Sequence, residues 1–281
     1  MNSFKTALLF IVLTLILLTL GYFLGGQQGL TIAFIIALVM NFGSYWFSDK
    51  IVLKMYKAKQ IEEADNARLY KIVRLAVQMA GMPMPKVYTV PSKSPNAFAT
   101  GRNPEHAAVA ATEGILELLN DDELAGVMAH ELGHVRNRDT LVAAVAATIA
   151  GAISYIGFMI RWMPFFGGDD DDSPLGLVGI LIIGILAPIA AMMVQMAISR
   201  QREYMADRAA AEISHKPLAL ASALEKLQTF TKKIPLKTNP ASAHIFIVNP
   251  LTKGSFISLF STHPSVESRV ERLNEYYKEG I

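Results

Sequence analysis

Four stretches of this chain carry almost no charge over lengths that match a lipid bilayer, and that pattern constrains its architecture more than anything else. They run from about Phe4 to Leu24, from Leu30 to Phe47, from Thr140 to Ile160 and from Pro174 to Ser199. A spanning helix needs about 20 mostly apolar residues. The first two are separated only by Gly25-Gly26-Gln27-Gln28-Gly29, which predicts a helical hairpin. The last two are joined through Gly167-Gly168 and four consecutive aspartates, Asp169 to Asp172, and Pro188 should kink the fourth. Charged residues make up only 18% of the chain, against about 25% in a soluble domain. Two competing readings exist: a cleaved leader for residues 1–24, and an Ala-rich soluble core helix for the third stretch. The absence of a small-x-small cleavage site and the immediate second stretch argue against the leader.

Lysine and arginine placement gives the orientation. Lys5, Lys50, Lys54, Lys57, Lys59, Arg136, Arg138, Arg200 and Arg202 all fall on one side of a four-span arrangement, and Arg161 is the single contrary charge. Both termini and both polar blocks are therefore expected in the cytoplasm. Four units follow: a transmembrane hairpin at 1–47, a polar block at 48–139, a second hairpin at 140–199 and a second polar block at 200–281. The two polar blocks together hold roughly 170 residues, enough for one mixed domain. The net charge is +2 with no basic stripe, so no nucleic-acid partner is expected. No cysteine is present, which excludes disulfides, thiolate metal sites and cysteine nucleophiles.

Within the polar blocks, Asp65–Ala80 reads as an amphipathic helix burying Leu69, Ile72, Val73, Ala76 and Met79, stopped by Gly81. Short strands are expected at Lys86–Val90, Ala97–Thr100, Ala107–Ala111 and Ile245–Val248. Glu113–Leu119 reads as a short helix. Asn120 with Glu123 resembles a capping box opening the next helix. Pro217–Phe230 and Pro264–Tyr277 are further helices, the latter with proline in its first turn.

The helix opened by Asn120 carries His130-Glu131-Leu132-Gly133-His134. Positions four apart share a helix face, so His130 and His134 can offer their imidazoles to one ion. Zinc takes neutral imidazole nitrogen and, in catalytic sites, keeps one position open for water. Glu131 stands beside it as the candidate general base. The flanking Asp121, Asp122, Glu123, Arg136 and Arg138 place the motif on the water side of the membrane.

Two histidines are too few for a catalytic zinc. The extended motif with a glycine and a third histidine downstream is absent, because Asn137 and Thr140 occupy those positions. A carboxylate should then complete the set. Glu203 is the best placed, since two antiparallel spans of matching length return it to the level of His134. Asp207, one turn on, is placed to hydrogen-bond a ligand histidine. The competing reading makes Glu203 an interfacial carboxylate among Arg200, Arg202 and Arg208. Glu212 is its nearest rival as ligand, and Glu123 lies too far up the motif helix. His106, His215 and His244 lack partner spacing and read as surface residues.

Two N-terminal spans, Asn96-Ala97-Phe98-Ala99-Thr100-Gly101, the His130–His134 motif, a second hairpin and Arg202-Glu203-Tyr204-Met205-Ala206-Asp207 together resemble the bacterial HtpX-type proteases, which are similar to the CAAX prenyl proteases. The resemblance implies a mainly α protein: a four-helix transmembrane portion with a gluzincin-like α+β zinc-peptidase domain and a small sheet. It implies one Zn2+ per chain, an inner-membrane location, and degradation of damaged or misfolded membrane proteins and unfolded soluble ones under stress. It also implies that His263 or Arg269 steadies the oxyanion, and that Asn96, Ala97, Phe98 and Ala99 form the edge strand receiving substrate. Two other classes stay open on the residues alone, a zinc transporter and a non-catalytic membrane scaffold with a structural zinc.

Overall fold

The computed structural model describes residues 2–143, 145, 200–233, 247 and 264–281. The expected third and fourth spans beyond these residues, the aspartate run, His244, His263 and all but Ile247 of the expected 245–248 strand lie outside that set.

Helix α1, Asn2–Met55, leaves helical geometry only at Gly25 and Gly26, the latter at φ 55°. There the chain folds back on itself. Asn41 Nδ2 donates to Thr14 Oγ1 at 2.9 Å, and a Cβ added to Gly21 would collide with Ala33 and with the Gly29 carbonyl. Small residues thus let the two arms touch through their backbones. The reversal needs two residues and not the five from Gly25 to Gly29, because Gln27 and Gln28 are already helical. Phe4, Ile11, Leu15, Val39 and Phe42 point outward. Among the described residues, Gly25–Phe47 is long and apolar enough to cross a bilayer, whereas Phe10–Thr19 forms a shorter apolar stretch.

The second arm runs past Phe47 and seats its end on a four-stranded sheet. The strands are β1 (Lys59–Gln60), β2 (Lys86–Val90), β3 (Ala97–Gly101) and β4 (Ala107–Thr112), in the order β1-β2-β4-β3. β2 and β4 run parallel, and the other pairs are antiparallel. β4 is buried throughout, which its alanines permit because both faces are covered. Phe98, Ala108 and Ala110 pack with Val52 and Leu53 of α1, while Ala97, Val109 and Ala111 join the main core with Leu69, Leu124 and Met128.

The longer helices that follow among the described residues are α2 (Ala67–Ala80), α3 (Glu113–Leu118), α4 (Asp121–Arg136), α5 (Arg200–Ser214), α6 (Pro217–Lys233) and α7 (Val266–Glu279), beside a single 3-10 turn at Pro104–His106 and a helical stretch that resumes at Asp139. Asn66 caps α2 by accepting from the Leu69 amide, so that helix opens after Asp65. Its buried stripe passes through Leu69, Val73 and Val77, and Met79, expected inside, lies exposed at the margin. Ser265 caps α7 by accepting from Ser268, so Pro264 precedes the cap and does not enter the first turn.

α4 runs through the middle of the unit. Leu124, Val127, Met128 and Leu132 are fully enclosed, each contributing about 1.5–3 kcal/mol by leaving water. Two glycines let its neighbours close in. A Cβ on Gly126 would stand 3.0–3.1 Å from Leu220 of α6, and one on Gly133 would stand 2.9 Å from Ala209 Cβ and 3.2 Å from Ala206 Cα of α5.

Candidate metal centre

The start of α4 is fixed by a reciprocal capping box between Asn120 and Glu123. Glu123 also accepts from Ser222 at 2.7 Å and Lys226 at 2.8 Å, which ties α4 to α6. Burial pushes this carboxyl up, but the hydrogen bonds from Lys226, Ser222 and the Asn120 amide outweigh it and hold the group below the usual range. Glu123 is thus an anchor of the motif helix, remote from its histidines.

Two turns on, His130 and His134 share one helix face with their Nε2 atoms 3.2 Å apart. The opposite ring atoms both meet carboxylates: His130 Nδ1 is 2.9 Å from Asp207 Oδ1, and His134 Nδ1 is 3.3 Å from Asp139 Oδ2. Carboxylates accept, so the Nδ1 atoms carry the protons and both Nε2 lone pairs face the same point. Glu203 closes the third side, with Oε2 3.6 Å from His130 Nε2 and Oε1 3.5 Å from His134 Nε2. A tetrahedral ion with bonds of about 2.0–2.1 Å holds its ligand atoms about 3.3 Å apart. Facing lone pairs at this spacing can share one cation between them. His130, His134 and Glu203 therefore form a group able to hold a metal ion.

The charges agree with that geometry. Glu131, Glu203 and Asp207 are buried together, and Arg269 is the cation buried among them. With the buried pair Asp139 and Arg202 counted in, four carboxylates stand against two guanidiniums and leave two negative charges, which a divalent ion balances. Burial and Arg269 push the His130 imidazole down, yet hydrogen bonds with Asp207 and Glu203 prevail and raise it to about 9. The cage thus draws positive charge to this spot. Asp207, despite burial, is held low by Arg269 and by His130. Burial pushes Glu131 up, only partly opposed by the two histidines.

Gly133 is the local reason that Glu203 arrives. Without a side chain there, α5 lies close against α4, and Glu203 reaches the histidines from the first turn of α5. Glu203 is only 5% exposed, whereas Glu212 pairs with Arg136 and Arg208 at the surface. His106 Nδ1 meets Asn103 Oδ1, and His215 occupies the turn between α5 and α6 at φ 52°. His263 lies outside the described residues.

Glu131 Oε2 accepts from the Ala99 amide at 2.9 Å, so the acid touches the edge strand directly. Thr112 N donates to Asn96 O, which makes 96, 98 and 100 the residues that bond β4. In an antiparallel ladder the alternate residues, Ala97, Ala99 and Gly101, turn their backbone groups to the outer edge. Phe98 sends its side chain away from Glu131, against Tyr56 of α1 at 5.1 Å between ring centroids. Asn96 Oδ1 accepts from Ile247 N.

Arg269 grips Asp207 with Nε at 2.8 Å and Nη2 at 2.6 Å, and gives Nη1 to the Ile247 carbonyl. Its Nη2 also lies 3.4 Å from the His130 ring nitrogens, and its Nη1 3.7 Å from Glu203 Oε2. Two buried residues near the ligands escaped the sequence reading. Asp139 faces His134, and Arg202 pairs with Asp139 at 2.9 Å. The available signal was charge at the mouth of an apolar hairpin, but a sequence alone cannot distinguish such charges from the topological arginines beside them.

Two histidines one turn apart, a glutamate from a second helix and an acid bonded to a strand edge define a metallopeptidase type of centre. The sequence profile described as "Peptidase family M48" matches residues 63–277, and the chain belongs to that family. A protein of Desulfatibacillum aliphaticivorans called "Protease HtpX homolog" is 54% identical over 275 residues, covering 97% of this chain and 89% of the relative. A Pyrococcus furiosus protein with the same description is 53% identical over 277 residues, covering 98% and 96%. The chain is accordingly a metalloprotease that hydrolyses peptide bonds. Among solved structures, Ste24p of S. mikatae superposes with a TM-score of 0.53 at 17% identity, over 97% of this chain and 65% of that one, a likeness of fold alone.

Proposed function

We propose that the chain is a zinc-dependent endopeptidase of the bacterial inner membrane. Its substrates are misfolded or damaged membrane proteins and unfolded soluble ones, cleaved on the cytoplasmic face as part of a stress response. The observation that carries this reading is the convergence of His130 Nε2, His134 Nε2 and a Glu203 oxygen, with Glu131 beside them and hydrogen-bonded to an edge strand. Residues 1–47 and 140–199 form the two membrane hairpins, and 48–139 with 200–281 form the peptidase unit. The outward apolar side chains of α1 support the first hairpin, and the charge asymmetry of the sequence supports the orientation.

His130, His134 and Glu203 would hold the zinc, which when bound polarises the scissile carbonyl and lowers the pKa of water towards about 7. Glu131 takes the proton of the attacking water and returns it to the leaving amine nitrogen. Its raised pKa keeps it able to hold that proton between the two steps, and the Ala99 amide fixes its carboxylate relative to the strand. Substrate lies extended along β3, pairing with the outward backbone groups of Ala97 and the Ala99 carbonyl, while the Ala99 amide is kept by Glu131, a mode tolerant of sequence. Asp207 fixes the His130 tautomer, Arg269 braces Asp207, and Arg269 or His263 steadies the oxyanion.

The test measures zinc content and casein hydrolysis in purified wild type, Glu131→Gln and Glu203→Ala. Glu131→Gln should retain zinc and lose about a hundredfold to ten-thousandfold in rate. Glu203→Ala should lose zinc and activity together. Full cleavage by Glu131→Gln would sink the mechanism, and equal zinc in all three would remove Glu203 from the site.

A further inference from the structure

His134 is steadied by a buried couple that belongs to neither histidine's own helix turn. Asp139 Oδ2 lies 3.3 Å from His134 Nδ1. Arg202 Nε is 2.9 Å from Asp139 Oδ1, and Arg202 Nη2 donates to the Asp139 backbone carbonyl at 2.9 Å. One guanidinium thus ion-pairs with the side chain and hydrogen-bonds the main chain of the same aspartate, an arrangement a lysine ammonium cannot hold with fixed geometry. Its Nε and Nη1 are buried without a hydrogen-bond partner among the described residues. Asp139 is 3% exposed and Arg202 8%. Burial pushes Arg202 down in pKa, opposed by Asp139 and Glu203. A charge pair kept out of water at such a cost is poor material for mere solubility or stability.

The couple repeats, with different elements, the order seen behind the other ligand. His130 leans on Asp207, and Asp207 leans on Arg269. His134 leans on Asp139, and Asp139 leans on Arg202. Position adds meaning to the second set. Asp139 opens the helical stretch that resumes after α4, with Arg138 at φ 57° making the turn. Arg202 immediately precedes Glu203. Next to Asp139, Thr140 Oγ1 donates to the Gly101 carbonyl at the end of β3. The two ends of the segment between α4 and α5 are therefore clasped together at the metal ligands and against the edge strand.

We propose that Asp139 and Arg202 are positioning residues of the metal centre. Asp139 accepts the Nδ1 proton of His134 and aims its Nε2 at His130 and Glu203, and Arg202 holds Asp139 in place. This rests on the zinc-peptidase reading above. Losing such a partner costs about tenfold to a hundredfold in metal affinity.

The experiment titrates zinc against a competing chelator on the full chain in detergent, for wild type, Asp139→Asn, Arg202→Lys and the surface control Glu212→Gln. It also records visible spectra of the cobalt-substituted proteins and their unfolding midpoints without metal. Asp139→Asn and Arg202→Lys should bind zinc about tenfold to a hundredfold more weakly and shift the cobalt spectrum, and Glu212→Gln should do neither. If either single variant fails to fold, Asp139→Asn combined with Arg202→Met removes the uncompensated buried charge and should still bind zinc weakly. A lowered unfolding midpoint with wild-type zinc affinity and spectrum would overturn the proposal, leaving the couple a structural staple. Failure of the wild type to bind zinc would instead overturn the zinc-peptidase reading itself.

Discussion

Helices α1 and α4 are opposites in where they put their chemistry. α1 turns phenylalanine, isoleucine and valine outward: Phe4 is 73% exposed and Val39 66%. α4 encloses Glu123, His130 and Glu131 while its apolar residues fill the space around them. A helix with its apolar side chains outside has a solvent other than water in view. A helix with ionised groups inside has a partner for each of them, because an unpaired buried charge is prohibitive. The comparison teaches that the charges α4 buries sit where partners meet them, and polarity alone does not predict burial.

The same substitution made in both helices should break the comparison most visibly. A Cβ on Gly43 of α1 meets nothing within 4 Å, whereas one on Gly133 of α4 presses on Ala209 and Ala206. Gly43→Ala should therefore change stability by no more than about 1 kcal/mol, the helix-propensity scale. Gly133→Ala should cost about 1–3 kcal/mol by overpacking. Because it pushes α5 away, it should also weaken metal binding through Glu203. Thermal unfolding and zinc content of the two variants check this, and equal behaviour would mean that α4 and α5 are not in close contact.

Much of this was readable from residues alone, for identifiable reasons. Asn120 and Glu123 signal a helix start because the capping pattern is local. The spacing of His130 and His134 is local too, and so are the short apolar runs between proline and glycine breaks that mark β2, β3 and β4. Met79 and Pro264 show where such reading stops. Which side of a helix margin is covered depends on the partner helix, and whether proline precedes or enters a helix depends on which neighbouring hydroxyl caps it. The pairing of Asp139 with Arg202 was illegible because it joins residues 63 positions apart, and the positive charge beside a span already had a sufficient topological explanation. The likeness to a known family supplied Asn96–Ala99, whereas the structure supplied the contact between Ala99 and Glu131.

Acid should sharpen the contrast from the side of α4. Glu123 is depressed in the folded protein, so its contribution is complete above its unfolded pKa of about 4.3 and is lost as pH falls through the folded value. Glu123→Gln keeps the shape but removes the charge met by Lys226, and should cost about 1–3 kcal/mol at neutral pH. The difference between variant and wild type should shrink as pH drops below about 4. Unfolding midpoints measured from pH 7 to pH 3 test this. A pH-independent difference would show that the ion pair with Lys226 contributes nothing and that the cap alone matters.

The smallest effect belongs to the polar contact inside α1. Asn41 Nδ2 donates to Thr14 Oγ1 between the two arms, while its own Oδ1 is buried without a hydrogen-bond partner among the described residues. Hydrogen bonds between membrane helices average about 0.6 kcal/mol. Asn41→Leu gives up that bond but also removes an unsatisfied amide oxygen, so the two terms oppose each other. The expected change in the unfolding midpoint in detergent is correspondingly slight, about 0.6 kcal/mol or less, and zinc content should be unchanged. A large loss would mean that the arms are held together by this one polar contact and not by the close approach at Gly21, Gly29 and Ala33. α1 would then follow the same rule of satisfied polar pairing as α4, and the contrast between the two helices would be one of degree.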